Sequence, residues 1–168
     1  ENYPQKRKLD VAATTVLMQV LEAMLKAGTS VIAVNNALVT ELVIPDGVDI
    51  ISSYTFYNCS SLSSINIPDG VTSIGSEAFY FCRNLTELEL PSKLEVIGYK
   101  SFRSCRSLKG KAILPQTVTH IYNEAFYDCG ELEISPVMPR SLTYIGDSAF
   151  SGMANMKGQL YLPDGLTW

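Results

Sequence analysis

Residues 64–85, SINIPDGVTSIGSEAFYFCRNL, contain the pattern that decides the fold, because near-copies of this segment follow one another along the chain. The proline of this segment recurs at intervals of 23 or 24 residues. The series consists of Pro45, Pro68, Pro91, Pro115, Pro139 and Pro163. A fixed period of this length is typical of repeat proteins, in which each copy forms one structural unit.

Other positions keep step with the prolines. Apolar residues stand three, six and seventeen positions after each of the first five prolines. Eleven positions after these prolines stand Phe56, Phe79, Phe102, Phe126 and Phe150, and fourteen after stand Cys59, Cys82, Cys105, Cys129 and, in the fifth copy, Met153. One such unit is too small to bury its apolar side chains alone, whereas stacked units bury them between neighbours. The pattern therefore predicts a solenoid.

Each unit has a predictable local structure. Apolar and polar residues alternate before the proline, as in Leu62–Ile67, which predicts a short strand that the proline ends. Asp-Gly turns follow several prolines, and the Val-x-x-Ile step predicts a second short extended segment. Residues 76–79 suit a helical turn that carries Phe79 into the core. Later copies have one extra residue before the next proline, where we expect a turn.

The run Ile65-x-Ile67-Pro68-Asp69-Gly70-Val71-x-x-Ile74-Gly75-x-x-Ala78-Phe79-x-x-Cys82-x-x-Leu85 resembles the repeat of BspA-like leucine-rich-repeat proteins, and Asn58-Cys59-Ser60-Ser61-Leu62 is similar to its favoured junction. The resemblance covers residues 42–166. It implies a right-handed leucine-rich-repeat solenoid of secreted or cell-surface proteins, found in host-associated bacteria and some protozoan parasites and linked to adhesion. The family motif has no catalytic residues. This chain departs from it at Ser52 and Tyr122 in place of Gly, at Met153 in place of Cys, and at Pro136, which should weaken strand pairing.

The two ends differ from the repeats. Apolar residues from Leu9 to Leu25 recur at helical spacing, so we expect residues 1–30 to form an amphipathic helix that caps the solenoid of residues 31–168, with about five full repeats and partial repeats at both ends. A partner-binding or dimerising helix is the alternative. Polar residues interrupt the apolar stretch 11–27, which argues against a signal or membrane anchor. Because the chain begins with Glu1 and stops in mid-unit at Trp168, we expect a trimmed product, although Trp168 could instead close the stack.

Composition disfavours several function classes. The 168 residues have a formal charge of −4 and a single histidine, His120, without a Cys-x-x-Cys pair or a Gly-rich phosphate loop. Nucleic-acid binding, metal binding, cofactor binding and catalysis are therefore not expected. Stacked repeats would hold the four cysteines in a row at about 5 Å, too far apart for disulfides, so we expect buried free thiols. Each Asp-Gly turn offers one carboxylate where calcium needs six or more oxygens.

Two outward rows are the candidate ligand-binding surface, because both become apolar or aromatic toward the C-terminus. Two positions before the prolines stand Ile113, Val137 and Tyr161, and five positions after them stand His120, Tyr144 and Trp168. We expect these residues to bind a host or neighbouring-cell protein, as part of a non-catalytic adhesion module of a secreted or cell-surface bacterial protein. The alternatives are a surface covered by later repeats or a second copy, a structural spacer that carries other modules, and a glycan-binding module.

Overall fold

The computed structural model describes residues 40–156 and 159–167. The expected capping helix, the apolar stretch 11–27 and Trp168 lie outside these residues. The described strands are β1 (Glu41–Val43), β2 (Ile50–Ile51), β3 (Ser64–Asn66), β4 (Ser73–Ile74), β5 (Val96–Ile97), β6 (Lys109–Ala112), β7 (His120–Ile121), β8 (Glu131–Ile134) and β9 (Tyr144–Ile145).

The described strands form parallel sheets that run along the repeats. One sheet has the order β2-β4-β5-β7-β9 and pairs equivalent residues of successive repeats, for example Ile74 with Ile97. It is built from the second extended segment, five and six positions after each proline. The strands before the prolines form two separate two-stranded sheets, β1-β3 and β6-β8. The continuous sheet of the described solenoid is therefore the one after the prolines.

The repeat phenylalanines form one column through the core, as the solenoid prediction requires. Their rings stack in sequence order, with centroid separations of 5.1 Å for Phe56–Phe79, 5.1 Å for Phe79–Phe102, 5.3 Å for Phe102–Phe126 and 5.8 Å for Phe126–Phe150. The separations are close to the spacing of neighbouring strands, because each ring belongs to one coil of the stack. Each coil therefore completes its interior with that of its neighbours.

The four cysteines of the row are free thiols; Cys59 is half-buried and the other three are buried. Cys82, Cys105 and Cys129 are inaccessible to solvent, and each thiol donates to a carbonyl oxygen of the preceding coil. These bonds run from Cys82 Sγ to Phe56 (3.1 Å), from Cys105 Sγ to Phe79 (3.1 Å) and from Cys129 Sγ to Phe102 (3.0 Å). The cysteines thus act as small core residues that also satisfy a buried backbone acceptor.

The prediction of a helical turn around each phenylalanine is wrong for the described residues, which contain no helix. Among these residues there is accordingly no helix that could cross a membrane. In the second repeat the N–H groups alternate: Ala78 donates within the coil to Gly75, whereas Phe79 donates to Ser101 of the next coil. Glu77 and Phe81 have positive φ angles of 55° and 60°. A helix would use these N–H groups within one coil, whereas left-handed residues on both sides of the phenylalanine turn half of them toward the neighbour.

The extra residue of the later repeats, which we expect in a turn, stands before the next proline. It lies in the interval that contains strand β6, which has four residues where β1 and β3 have three. Pro136 has the expected effect on pairing, because β8 ends at Ile134 and pairing resumes only at an isolated bridge between Val137 and Tyr161. Proline cannot donate a ladder hydrogen bond, so the strand ends before it.

At Gly98, seven positions after its proline, adjacent coils approach too closely for a side chain. A Cβ atom on Gly98 would lie 2.6 Å from the carbonyl carbon of Gly75. We expect Gly98→Ala to lower the free energy of unfolding by roughly 1–3 kcal/mol, because the backbone of one coil must move. Urea unfolding followed by circular dichroism measures this change.

Gly70→Ala is the matched control, since a Cβ atom there would meet only the Val48 oxygen at 3.7 Å, an ordinary contact. This variant should be neutral or slightly stabilising. Equal losses in the two variants would contradict the close-approach explanation.

Candidate binding surfaces

Three of the predicted site residues, each two positions before a repeat proline, are apolar or aromatic and exposed. Ile113, Val137 and Tyr161 are 75%, 61% and 58% exposed. We refer to these three residues as the pre-proline patch. Side chains this large and apolar are usually buried. Val43, at the other end of the same row of repeat positions, is also exposed.

The C-terminal part of this patch has a defined backbone geometry. The N–H of Tyr161 donates to the Pro136 oxygen at 2.8 Å, and the N–H of Met138 donates to the Tyr161 oxygen at 3.1 Å. These bonds place Val137 beside Tyr161 in parallel register. The two side chains line a groove of about 510 Å³.

The edge of this groove carries charge of both signs. Arg140 and Asp164 line it together with Val137 and Tyr161. The position of Arg140, one residue after a repeat proline, gave no indication of a function in the sequence. Arginine and tyrosine are the residue types that most often contribute binding energy at protein interfaces.

His120 and Tyr144 lie elsewhere, on strands β7 and β9 of the continuous sheet. Each contacts Tyr122, with ring centroids 5.9 Å and 5.5 Å away, and the His120 and Tyr144 rings are 6.0 Å apart. We refer to these three residues as the aromatic cluster. The Tyr144 hydroxyl donates to Asn123 Oδ1 at 3.2 Å, and His120 Nδ1 is 2.9 Å from Thr119 Oγ1.

The two expected rows therefore belong to different sheets, one before and one after the prolines. The structure brings Val137 to Tyr161, and it brings His120 to Tyr144 through Tyr122. Tyr122 was noted in the sequence only as a departure from the glycine of the repeat. An aromatic residue where three other copies have glycine was the signal that could have identified it.

Beside the aromatic cluster, a smaller groove of about 220 Å³ crosses the continuous sheet. Tyr99 and Tyr122 line it, together with Ser73 and with Gly75 and Gly98. At both glycines a Cβ atom would lie less than 3 Å from the backbone of the preceding coil.

A further aromatic row lies on the flank of the solenoid. Tyr57 and Tyr80 stack at 5.1 Å, and the guanidinium of Arg103 lies 4.5 Å from the ring centroid of Tyr127. Arg103 also pairs with Glu124. These side chains therefore contact one another along the stack.

The titratable side chains of the described residues bear on metal binding and on thiol reactivity. Within residues 40–156 and 159–167, no group of three or more His, Cys, Asp or Glu side chains is placed to hold a metal ion. Burial, with a smaller contribution from the neighbouring Cys82, raises the pKa of the Cys59 thiol to about 12. Burial likewise raises the pKa of Cys105 and Cys129. These thiols are protonated at neutral pH and are poor nucleophiles.

Comparison with known sequences identifies the repeat. Residues 33–157 match, in six copies, the family described as the BspA-type leucine-rich-repeat region. No curated protein matches the chain.

Solved structures with the same fold come from several bacteria. A leucine-rich cell surface protein from Faecalibacterium prausnitzii is 35% identical with a TM-score of 0.63, over 70% of this chain and 31% of that one. A leucine-rich-repeat protein of T. pallidum is 30% identical with a TM-score of 0.61, over 75% of this chain and 71% of that one. A leucine-rich-repeat protein from Bacteroides ovatus is 32% identical with a TM-score of 0.52, over 76% of this chain and 38% of that one. The chain thus spans about a third of the length of the first and third of these proteins.

Proposed function

Because the chain belongs to the BspA-type leucine-rich-repeat family, we propose that it is a non-catalytic interaction module that binds a protein partner through the pre-proline patch. The observation that carries this proposal is the exposure of Ile113, Val137 and Tyr161 in one row of the solenoid. Contiguous exposed apolar surface on a folded protein is typical of a site that a partner covers.

The composition of the row along the solenoid indicates where the partner binds. Its N-terminal members are mixed, namely Val43, Asn66 and Glu89, whereas its C-terminal members, Ile113, Val137 and Tyr161, are all apolar or aromatic. A protein interface needs an apolar centre with a polar rim, and Arg140 and Asp164 supply polar groups at the edge of the groove. The partner should therefore contact the C-terminal half of the row.

The setting of this module is part of the proposal. A secreted or cell-surface location is supported by the family and by the F. prausnitzii protein, whose description is that of a cell surface protein. A host protein or a protein of a neighbouring cell would then be the partner. Residues 1–30 would cap the repeat domain of residues 31–168, so that its first coil is not left open.

The test is binding of the purified chain to an array of purified mammalian extracellular-matrix and plasma proteins, followed by surface plasmon resonance on each protein that binds. We expect the double variant Val137→Ser/Tyr161→Ala to weaken binding at least tenfold, because both apolar anchors are lost. Its melting temperature should stay close to that of the wild type, since both side chains are more than half exposed.

Val43→Ser is the matched control, because Val43 lies in the same row at the other end and is 57% exposed. It should bind like the wild type. Equal binding by the wild type and the double variant would reject this patch. Failure of the wild type to bind any protein of the array would favour the alternative of a structural spacer.

A further inference from the structure

We propose that the groove between Tyr99 and Tyr122 on the continuous sheet is a binding site for a neutral saccharide. This site is separate from the pre-proline patch, and its argument does not depend on the proposed function. It rests on the composition of the groove, on the fixed positions of its two tyrosine rings and on the departure of residue 122 from the repeat.

The groove contains no charged side chain. Its lining consists of Ser53, Ser73, Ile74, Gly75, Ser76, Val96, Gly98, Tyr99 and Tyr122. An uncharged lining has no group to neutralise a phosphate, a carboxylate or an ammonium ion, so charged ligands would lose hydration without compensation. The ligand that fits is uncharged.

The same lining offers hydroxyl groups beside aromatic rings. Ser73 and Ser76 are half-buried, and among the described residues their hydroxyls have no hydrogen-bond partner. A hydroxyl can both donate and accept, which matches the hydroxyls of a sugar. The apolar C–H face of a pyranose ring can pack on an aromatic ring while its hydroxyls bond at the edge. A saccharide satisfies both features of this groove.

Both tyrosine rings contact neighbouring side chains and remain partly exposed. The ammonium of Lys100 lies 4.5 Å from the centroid of the Tyr99 ring, and the His120 ring lies within 22° of parallel to Tyr122. Tyr99 and Tyr122 nevertheless remain 38% and 40% exposed. Rings that are already positioned lose little conformational entropy on binding, so they are suited to act as stacking surfaces.

Residue 122 is also the position where this chain replaces a structural residue with an aromatic one. Gly75, Gly98 and Gly146 stand at the equivalent position in other repeats, and at each of them a Cβ atom would lie less than 3 Å from the preceding coil. Glycine at position 122 would therefore be compatible with the stacking of the coils. The tyrosine adds a wall to the groove that the repeat architecture does not need.

The experiment measures binding of maltose, cellobiose and lactose to the purified chain by saturation-transfer-difference NMR, with amide shifts of the protein as a second readout. We expect at least one of these sugars to bind and to shift amides around residues 73–76 and 98–99. Tyr122→Gly should weaken that binding at least tenfold while preserving the fold, because it restores the repeat residue. Tyr54→Ala, which removes an exposed tyrosine outside the groove, should bind like the wild type.

Three outcomes would overturn the proposal. The first is that none of the sugars binds. The second is that Tyr122→Gly binds them as tightly as the wild type. The third is that a proline-rich peptide, which also docks on aromatic grooves, shifts these amides while the sugars do not. Since the pre-proline patch is intact in Tyr122→Gly, loss of sugar binding without loss of protein binding would separate this site from the proposed function.

Discussion

Replacing Phe102 by alanine should lower the free energy of unfolding by about 3–5 kcal/mol, the range for truncating a buried phenylalanine. Phe102 is inaccessible to solvent and stacks on Phe79 and Phe126 at 5.1 Å and 5.3 Å. Its removal leaves a cavity in the middle of the column, where two neighbouring coils lose their packing at once. Urea unfolding monitored by circular dichroism measures the loss.

Phe150→Ala is the control for this effect. Phe150 is only half-buried. Within the described residues it stacks on a single phenylalanine of the column, Phe126, at 5.8 Å, whereas Phe102 stacks on two. Its truncation should cost clearly less than that of Phe102. If the two substitutions had the same cost, the column would not be the shared core that the coils require.

Raising the pH from about 8.5 to about 10 should lower the free energy of unfolding by about 3 kcal/mol through Cys105 and Cys129 alone. Burial raises the pKa of both thiols in the folded chain, whereas in the unfolded chain they have the ordinary value of about 8.5. Below that pH the thiols are protonated in both states and this stability is fully present. Above it the unfolded chain loses protons that the folded chain keeps, so the stability falls as the pH rises.

Urea unfolding under reducing conditions at several pH values between these limits tests the effect. The variant Cys105→Ala/Cys129→Ala will be less stable at neutral pH, but its stability should depend less steeply on pH. All other groups are common to both proteins, so the difference between the two slopes reports the thiols. Parallel slopes would show that the cysteines do not carry the alkaline loss.

The solenoid itself was predictable from the sequence because each structural requirement recurs at a fixed spacing. The burial of the phenylalanine and cysteine positions and the end of pairing before Pro136 all follow from single residues in register. The candidate surface was predictable only as separate rows. The exposure of Ile113, Val137 and Tyr161 followed from the alternation of inward and outward side chains before each proline. Nothing in the sequence indicated that Tyr99 and Arg140 line grooves.

Local propensity gave the wrong structure around the phenylalanines, because the sequence Ser76-Glu77-Ala78-Phe79 suits a helix when it is read alone. In the stack, the N–H of Phe79 donates to the next coil, and Glu77 takes a positive φ to allow this. Hydrogen bonds between coils therefore outweigh the local preference. No spacing within one repeat could show this, since the acceptor belongs to another repeat.

The amino-acid sequence by itself determined the repeat, its inward-facing side chains and the family, since these depend on which residue stands at which position of the period. Only the tertiary structure decided which sheet is continuous and which outward side chains meet. It assigned Val137 and Tyr161 to one surface and His120, Tyr122 and Tyr144 to another. The reason is that contacts between coils depend on the backbone path of each turn, which side-chain periodicity does not specify.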